Sequence, residues 1–162
     1  MAANKRIIEF FEGSQPDGAG RYLRELRTWP DGRIESVHDF IQWMFPLTEP
    51  SPVNPDAPVL DYDTIREVRS RPELQAQVRA SWLRMKQFYE GSRQWISPGN
   101  HNHLRITRIL KCLRLLGLER DAAEFFDWLA RLYGEEQRKP RPGITERTFQ
   151  FWMEAVRAGD GS

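Results

Sequence analysis

Apolar positions recur along most of this chain at three- and four-residue spacing, the signature of helices that bury one face. From about Asn4 to Glu12, Ile7, Ile8 and Phe11 share a face. A loop through Gly13, Pro16, Asp17, Gly18 and Gly20 follows, and then a short helical pattern carries Tyr22, Leu23 and Leu26. Trp29-Pro30-Asp31-Gly32 reads as a turn, since Pro presets φ and Gly permits the exit geometry. The next helix is predicted from about Arg33 to Phe45. There Ile34, Val37, Ile41, Met44 and Phe45 fall on one face, with Phe40 and Trp43 around the side. Pro46 cannot continue it.

Pro46, Pro50, Pro52, Pro55 and Pro58 then crowd one stretch. Their fixed φ values lower the entropy lost on ordering, and Leu47, Val53 and Leu60 supply apolar anchors, so an ordered loop is expected. A helix near Asp63 to Arg69 leads to Ser70-Arg71-Pro72, a start signal with Pro at the first helical position. Leu74, Val78, Trp82, Met85 and Tyr89 stripe the helix that follows, which ends before Gly91. A loop with Trp95, Pro98 and Gly99 precedes a helix from about His103 to Leu116, with Ile106, Ile109, Leu110, Leu113 and Leu116 on one face and Gly117 as its stop. The last two helices are predicted over about Arg120 to Tyr133 and Thr145 to Ala158. Neither an internal repeat nor a period-two strand is evident. The expectation is an all-α fold, a single compact helical bundle of about five to seven helices spanning residues 1–162.

The composition sharpens this picture. Six Trp, nine Phe and four Tyr in 162 residues demand several aromatic helix contacts or a ligand groove. With 24 Lys and Arg against 23 Asp and Glu, the net charge is +1, which gives no support to a nucleic-acid partner. One cysteine, Cys112, excludes an internal disulfide framework and fits a reducing compartment. The N-terminal residues lack the apolar core of a signal peptide. The most apolar run, Phe40 to Leu47, is interrupted by Gln42 and stopped by Pro46, far short of the roughly 20 residues that span a bilayer. A soluble, cytoplasmic chain is expected.

Candidate chemistry concentrates in two segments. On a continuous Arg33–Phe45 helix, Glu35, Asp39 and Gln42 fall at i, i+4 and i+7, with His38 at the boundary and Trp43 nearby. An acidic wall beside aromatics suits the ammonium and ring of a short peptide; alternatively, His38 bonds its own helix and the acids are solvated. The second segment is Asn100-His101-Asn102-His103 leading to Arg105 and Arg108. Arginines near a helix N-terminus suit a carboxylate or phosphate. The alternative has Asn100 or Asn102 capping the helix and Arg105 paired internally with an acid such as Glu35 or Asp39. If the two helices are neighbours, Glu35, His38, Asp39, Gln42, Trp43, His103, Arg105 and Arg108 form one ligand pocket. The enzymatic alternative is a metal-dependent hydrolase of the HD phosphohydrolase kind, using His38, Asp39, His101 and His103. No Gly-rich phosphate loop or nucleophile elbow is present, and Cys112 sits where a buried thiol is the default. No cofactor is predicted.

Three strings carry a family resemblance: IESVHDFIQWMFPLTEPSPVN (Ile34 to Asn54), SWLRMKQFYEG (Ser81 to Gly91) and NHNHLRITRILKCLRLLGLE (Asn100 to Glu119). In order and spacing the chain resembles the conserved domain of the opioid growth factor receptor family, over roughly Tyr22 to Leu132. The resemblance implies an all-helical fold and, from the animal receptors, binding of the opioid peptide Met-enkephalin. It further implies nuclear, perinuclear or membrane-associated locations for animal members. The sequence is nearly all conserved domain, like the stand-alone bacterial members, and Arg138-Lys139-Pro140-Arg141 is its one nuclear-signal-like string. The expected function is a non-enzymatic peptide- or small-ligand-binding module.

Overall fold

A computed structural model describes residues 3–157 of the chain. The described residues contain no strand and nine helical segments. These are α1 (Lys5–Glu12), α2 (Leu23–Leu26), α3 (Asp31–Ser36), α4 (Ile41–Met44), α5 (Tyr62–Ser70), α6 (Pro72–Glu90), α7 (Asn102–Leu115), α8 (Glu119–Glu136) and α9 (Glu146–Arg157). The fold is all-α, as the periodicity implied. The end assigned to the last helix, Ala158, lies outside the described residues. The chain divides into two compact units, Met1–Phe88 and Tyr89–Ser162, with the boundary in the last turn of α6.

In the first unit α1 starts where Asn4 accepts a hydrogen bond from the Arg6 N–H and stops at Gly13, whose φ of 84° is the left-handed geometry glycine tolerates. Its face of Ile7, Ile8, Phe10 and Phe11 is buried, and α1 packs on α4 and α5. Phe10 meets Trp43 edge-on at 5.4 Å between centroids, and Trp29 meets Phe40 likewise. The expected Leu74, Val78, Trp82 and Met85 stripe of α6 is buried throughout.

The predicted Arg33–Phe45 helix is broken in two. Val37 is extended (φ −99°, ψ 131°), and α4 begins only at Ile41. Backbone carbonyls released by the break find side-chain donors. Gln42 Nε2 donates to the His38 carbonyl at 3.2 Å, and Asn54 Nδ2 donates to the Asp39 carbonyl at 3.0 Å. Both halves bury apolar residues, Ile34 in one and Ile41, Trp43 and Met44 in the other, so the apolar pattern runs on through a change of direction.

The proline-rich segment is tied down, though not by every expected anchor. Leu47 and Leu60 are buried, and the Leu60 N–H donates to the Leu47 carbonyl at 2.8 Å. Val53, however, is 73% exposed, and Ala57 and Pro58 are buried instead. The Ser51 hydroxyl, itself buried, accepts from the Val53 and Asn54 N–H groups and turns the chain outward at Val53.

The second unit is built on α7, α8 and α9, each packed on the other two. The predicted stripe of Ile106, Ile109, Leu110, Leu113 and Leu116 has no accessible surface, and it shares the core with Phe125, Leu129, Trp152 and Ala155. Gly117, at φ 86°, ends α7: its N–H donates to Arg114 O while the Leu118 N–H donates to Leu113 O, the paired bonds of a Schellman motif.

Candidate functional site

The acidic residues near the break in the first unit are organised by an arginine that sequence reasoning passed over. Arg21 lies 2.8 Å from the Asp17 carboxylate and 2.9 Å from that of Asp39. Asp17 has no exposed side-chain surface, and it also accepts from the Ala19 and Arg21 N–H groups. Burial opposes the Arg21 charge, but hydrogen bonds and Coulombic attraction from Asp17 and Asp39 outweigh it and raise the guanidinium pKa. Arg21 and Arg33 both lie against the Trp29 ring, 5.3 and 4.2 Å from its centroid.

The break separates what a single helix face would have joined. Glu35 sits half-buried in α3; His38 and Asp39 are exposed in the break; Gln42 and Trp43 are buried in α4. Gln42 is engaged with His38 and Asn54. Trp43 is covered by Phe10, by the Arg6 guanidinium at 5.0 Å and by Gly18. The expected spacing along one helical wall is therefore corrected. Glu35, His38 and Asp39 are the members of the set that keep accessible surface.

His103, Arg105 and Arg108 belong to the second unit, all on α7. His103 is 5% exposed, with Nε2 at 2.8 Å from the Trp95 carbonyl, and its ring stands edge-on to Trp152. A carbonyl only accepts, so Nε2 carries the proton and Nδ1 is a bare acceptor, buried without a partner. Burial is the main reason the His103 pKa is lowered. Arg105 is also buried, and it donates to Asn102 Oδ1, which also accepts from the Tyr89 hydroxyl. Of the two residues named as alternative caps, the Asn100 side chain accepts from the Asn102 N–H, while Asn102 is a core residue. Arg108 is half-buried.

The imidazoles proposed as metal ligands do not assemble a site. Among the described residues no group of three His, Cys, Asp or Glu side chains is placed to hold a metal ion. The Cys112 thiol has no accessible surface, and burial drives its pKa far up.

The second unit contains a recess that the sequence reading did not anticipate. A cavity of about 230 Å³ lies over Trp95 and Trp128, with Glu90 and Arg93 among its walls. A neighbouring cavity of about 310 Å³ shares Arg93 and Ile96 and reaches Glu136 and Lys139. The Glu136 carboxylate is buried yet held ionised. Burial would raise its pKa, but hydrogen bonds from Lys139 and the Gly143 N–H lower it. Trp128 flanks the apolar stripe of its helix, one turn from Phe125 and Leu132, where spacing alone does not separate a core ring from a cavity wall, and Arg93 and Lys139 stand in loops, which carry no periodic signal.

The described architecture can be set beside known proteins. The opioid growth factor receptor conserved-region model matches residues 12–94 and 93–160. This chain belongs to that family. The match extends past both ends of the Tyr22–Leu132 stretch that carried the resemblance. The human opioid growth factor receptor is 35% identical over 154 residues, covering 82% of this chain and 22% of its own length. The rat receptor is 32% identical over 88% of this chain and 27% of its own length. A mouse opioid growth factor receptor-like protein is 26% identical, covering 88% of this chain and 34% of its own. The chain therefore spans about a fifth to a third of the length of these relatives. No solved structure matches it. No helix among the described residues is long and apolar enough to cross a membrane.

Proposed function

We propose that this chain is a non-enzymatic peptide-binding module whose ligand class is that of the opioid growth factor receptors, with Met-enkephalin as the reference ligand. The observation that carries this reading is its kinship with proteins named for receiving that factor, over 82% of the chain. Glu35, His38 and Asp39 supply the accessible polar surface on the first unit. Asp39 is 56% exposed at its side chain, and Arg21 fixes the carboxylate in place rather than leaving it to wander. A fixed, partly solvated carboxylate is a suitable acceptor for a peptide ammonium, because little side-chain entropy remains to be lost. Arg108, half-buried on the second unit, is the candidate cation for a peptide carboxylate.

Calorimetric titration with Met-enkephalin tests this reading. Saturable binding is expected, weakened about tenfold by Asp39→Asn through the loss of one charge-assisted contact. A des-amino peptide should bind with the weaker affinity, and Asp39→Asn should not weaken it further. Absence of saturable binding at millimolar peptide would overturn the receptor reading. Binding that Asp39→Asn, Glu35→Gln and Arg108→Gln all leave unchanged would overturn the residue assignment.

A further inference from the structure

The recess in the second unit presents a combination of groups that neither the family relationship nor the peptide reading uses. Its floor is aromatic and fixed. The Trp95 indole N–H donates to both the Tyr89 and Ser92 carbonyls at 2.9 Å, and the Trp95 carbonyl is engaged by His103. Trp128 lies against Trp95, 6.1 Å between centroids, and keeps accessible surface while Trp95 is 3% exposed. Ile96 and Leu132 complete the apolar walls.

Two opposite charges line the same cavity. Glu90 and Arg93 are both exposed, and both border the space above the indoles. Arg93 pairs with Glu135 at 3.8 Å, with both side chains more than half exposed, and its charge also acts on Glu136. Exposed pairs of that kind are weak and screened, so the guanidinium can exchange Glu135 for a better-placed anion at little cost. Glu90 ends α6, where the negative end of the helix dipole adds to its attraction for a cation. Lys139, by contrast, is committed to the buried Glu136 carboxylate, which also accepts from the Gly143 N–H. That knot ties the loop after α8 into place. Gly143 lies so close to Ile96 that an added Cβ would sit 2.4 Å from the Ile96 carbonyl oxygen. The Trp95 floor and the Ile96 backbone are thus positioned before any ligand arrives, which lowers the entropy lost on binding.

We infer that this recess binds a free zwitterionic amino acid with an aromatic side chain. The ring stacks on Trp128 over the Trp95 floor, the α-carboxylate pairs with Arg93, and the α-ammonium pairs with Glu90. An apolar ring, an anion and a cation on one small molecule match an apolar wall, a cation and an anion lining a cavity of about 230 Å³. A peptide carries its ammonium and carboxylate at opposite ends, so this site is chemically separate from the proposed peptide surface, and either holds if the other fails.

The test is titration of the full chain with L-phenylalanine, L-phenylalaninamide and N-acetyl-L-phenylalanine at low salt. L-phenylalanine is expected to bind, and each derivative, lacking one charge, about tenfold more weakly. Arg93→Gln should weaken L-phenylalanine but not its amide; Glu90→Gln should weaken L-phenylalanine but not its N-acetyl derivative. Both substitutions lie at exposed positions outside the core, so the variants remain folded, as circular dichroism will verify. No binding of L-phenylalanine at millimolar concentration overturns the inference. So does equal binding of all three compounds, or binding that neither variant alters.

Discussion

The Nε2–H of His103 donates to the carbonyl of Trp95 at 2.8 Å, and that one bond fixes which ring nitrogen of a buried imidazole carries a proton. The other nitrogen, Nδ1, is buried and has no partner. Protonating it would add a charge and an unsatisfied donor to the core, consistent with the lowered His103 pKa, which burial chiefly causes.

A pH dependence of stability follows from that lowered value. Below the ordinary imidazole pKa the unfolded chain takes up a proton that the folded chain refuses. Unfolding is therefore favoured as pH falls from that value through the folded pKa, and the stability is full above it. Urea midpoints measured from pH 7.5 down to 5 should fall for the natural chain. In His103→Gln, which retains a donor for the Trp95 carbonyl but does not titrate there, the fall should be shallower. Parallel curves for the two proteins would contradict the assignment.

Asp17 and Asp39 share Arg21 but differ in what their loss should cost. Asp17 is fully buried at its side chain and accepts from two backbone N–H groups as well as the guanidinium. Asp17→Ala strands those donors and is expected to destabilise by about 3 kcal/mol. Asp39 is 56% exposed, its ion pair is screened, and Asp39→Ala should cost less than about 1 kcal/mol. Chemical denaturation of the two variants checks the ordering; equal losses would refute the assigned roles.

Two glycines of the second unit should respond to alanine with opposite signs. At Gly143 an added Cβ meets the Ile96 backbone at 2.4 Å, and backbone yields little, so Gly143→Ala should destabilise by about 2 kcal/mol. Gly134 lies within α8 with nothing near its absent Cβ. There alanine lowers the entropy of the unfolded chain without strain, and Gly134→Ala should stabilise by about 0.5–1 kcal/mol. Thermal denaturation distinguishes the two.

These sites also mark where local pattern stopped being informative. The helical stripes through Ile106–Leu116 and Leu74–Met85 were legible because burial on one face imposes its period on neighbouring residues. The break between Ser36 and Ile41 was not, since its free carbonyls are satisfied partly by Asn54, well beyond any helical window. The same limit hid Arg21, whose partners Asp17 and Asp39 flank it at unlike separations. Val53 failed as an anchor because the Ser51 turn points the chain outward there, a geometric choice that hydrophobicity does not encode. Trp128 and Arg93 come together only through the packing of α8 and the loop after α6. Among the candidate ligand residues expected on one wall, Glu35, His38 and Asp39 keep accessible surface while the fold keeps Gln42 and Trp43 inside, a difference set by the break and not by spacing.

Cys112 offers a direct probe of how tightly the second unit closes. Its thiol has no accessible surface and sits among Ile109, Leu113 and other fully buried side chains of α7. Thiolate, not thiol, is the nucleophile, and burial pushes the Cys112 pKa well above neutrality. A disulfide-exchange reagent such as Ellman's should therefore leave the native protein unlabelled on the timescale that labels the urea-unfolded chain fully. Because the sulfur fills space rather than bonding, Cys112→Ala should cost about 1 kcal/mol, while Cys112→Ser should cost more, about 2 kcal/mol, through burial of a hydroxyl. Rapid labelling of the native chain, or a serine variant as stable as the alanine one, would show that this face of α7 opens to water.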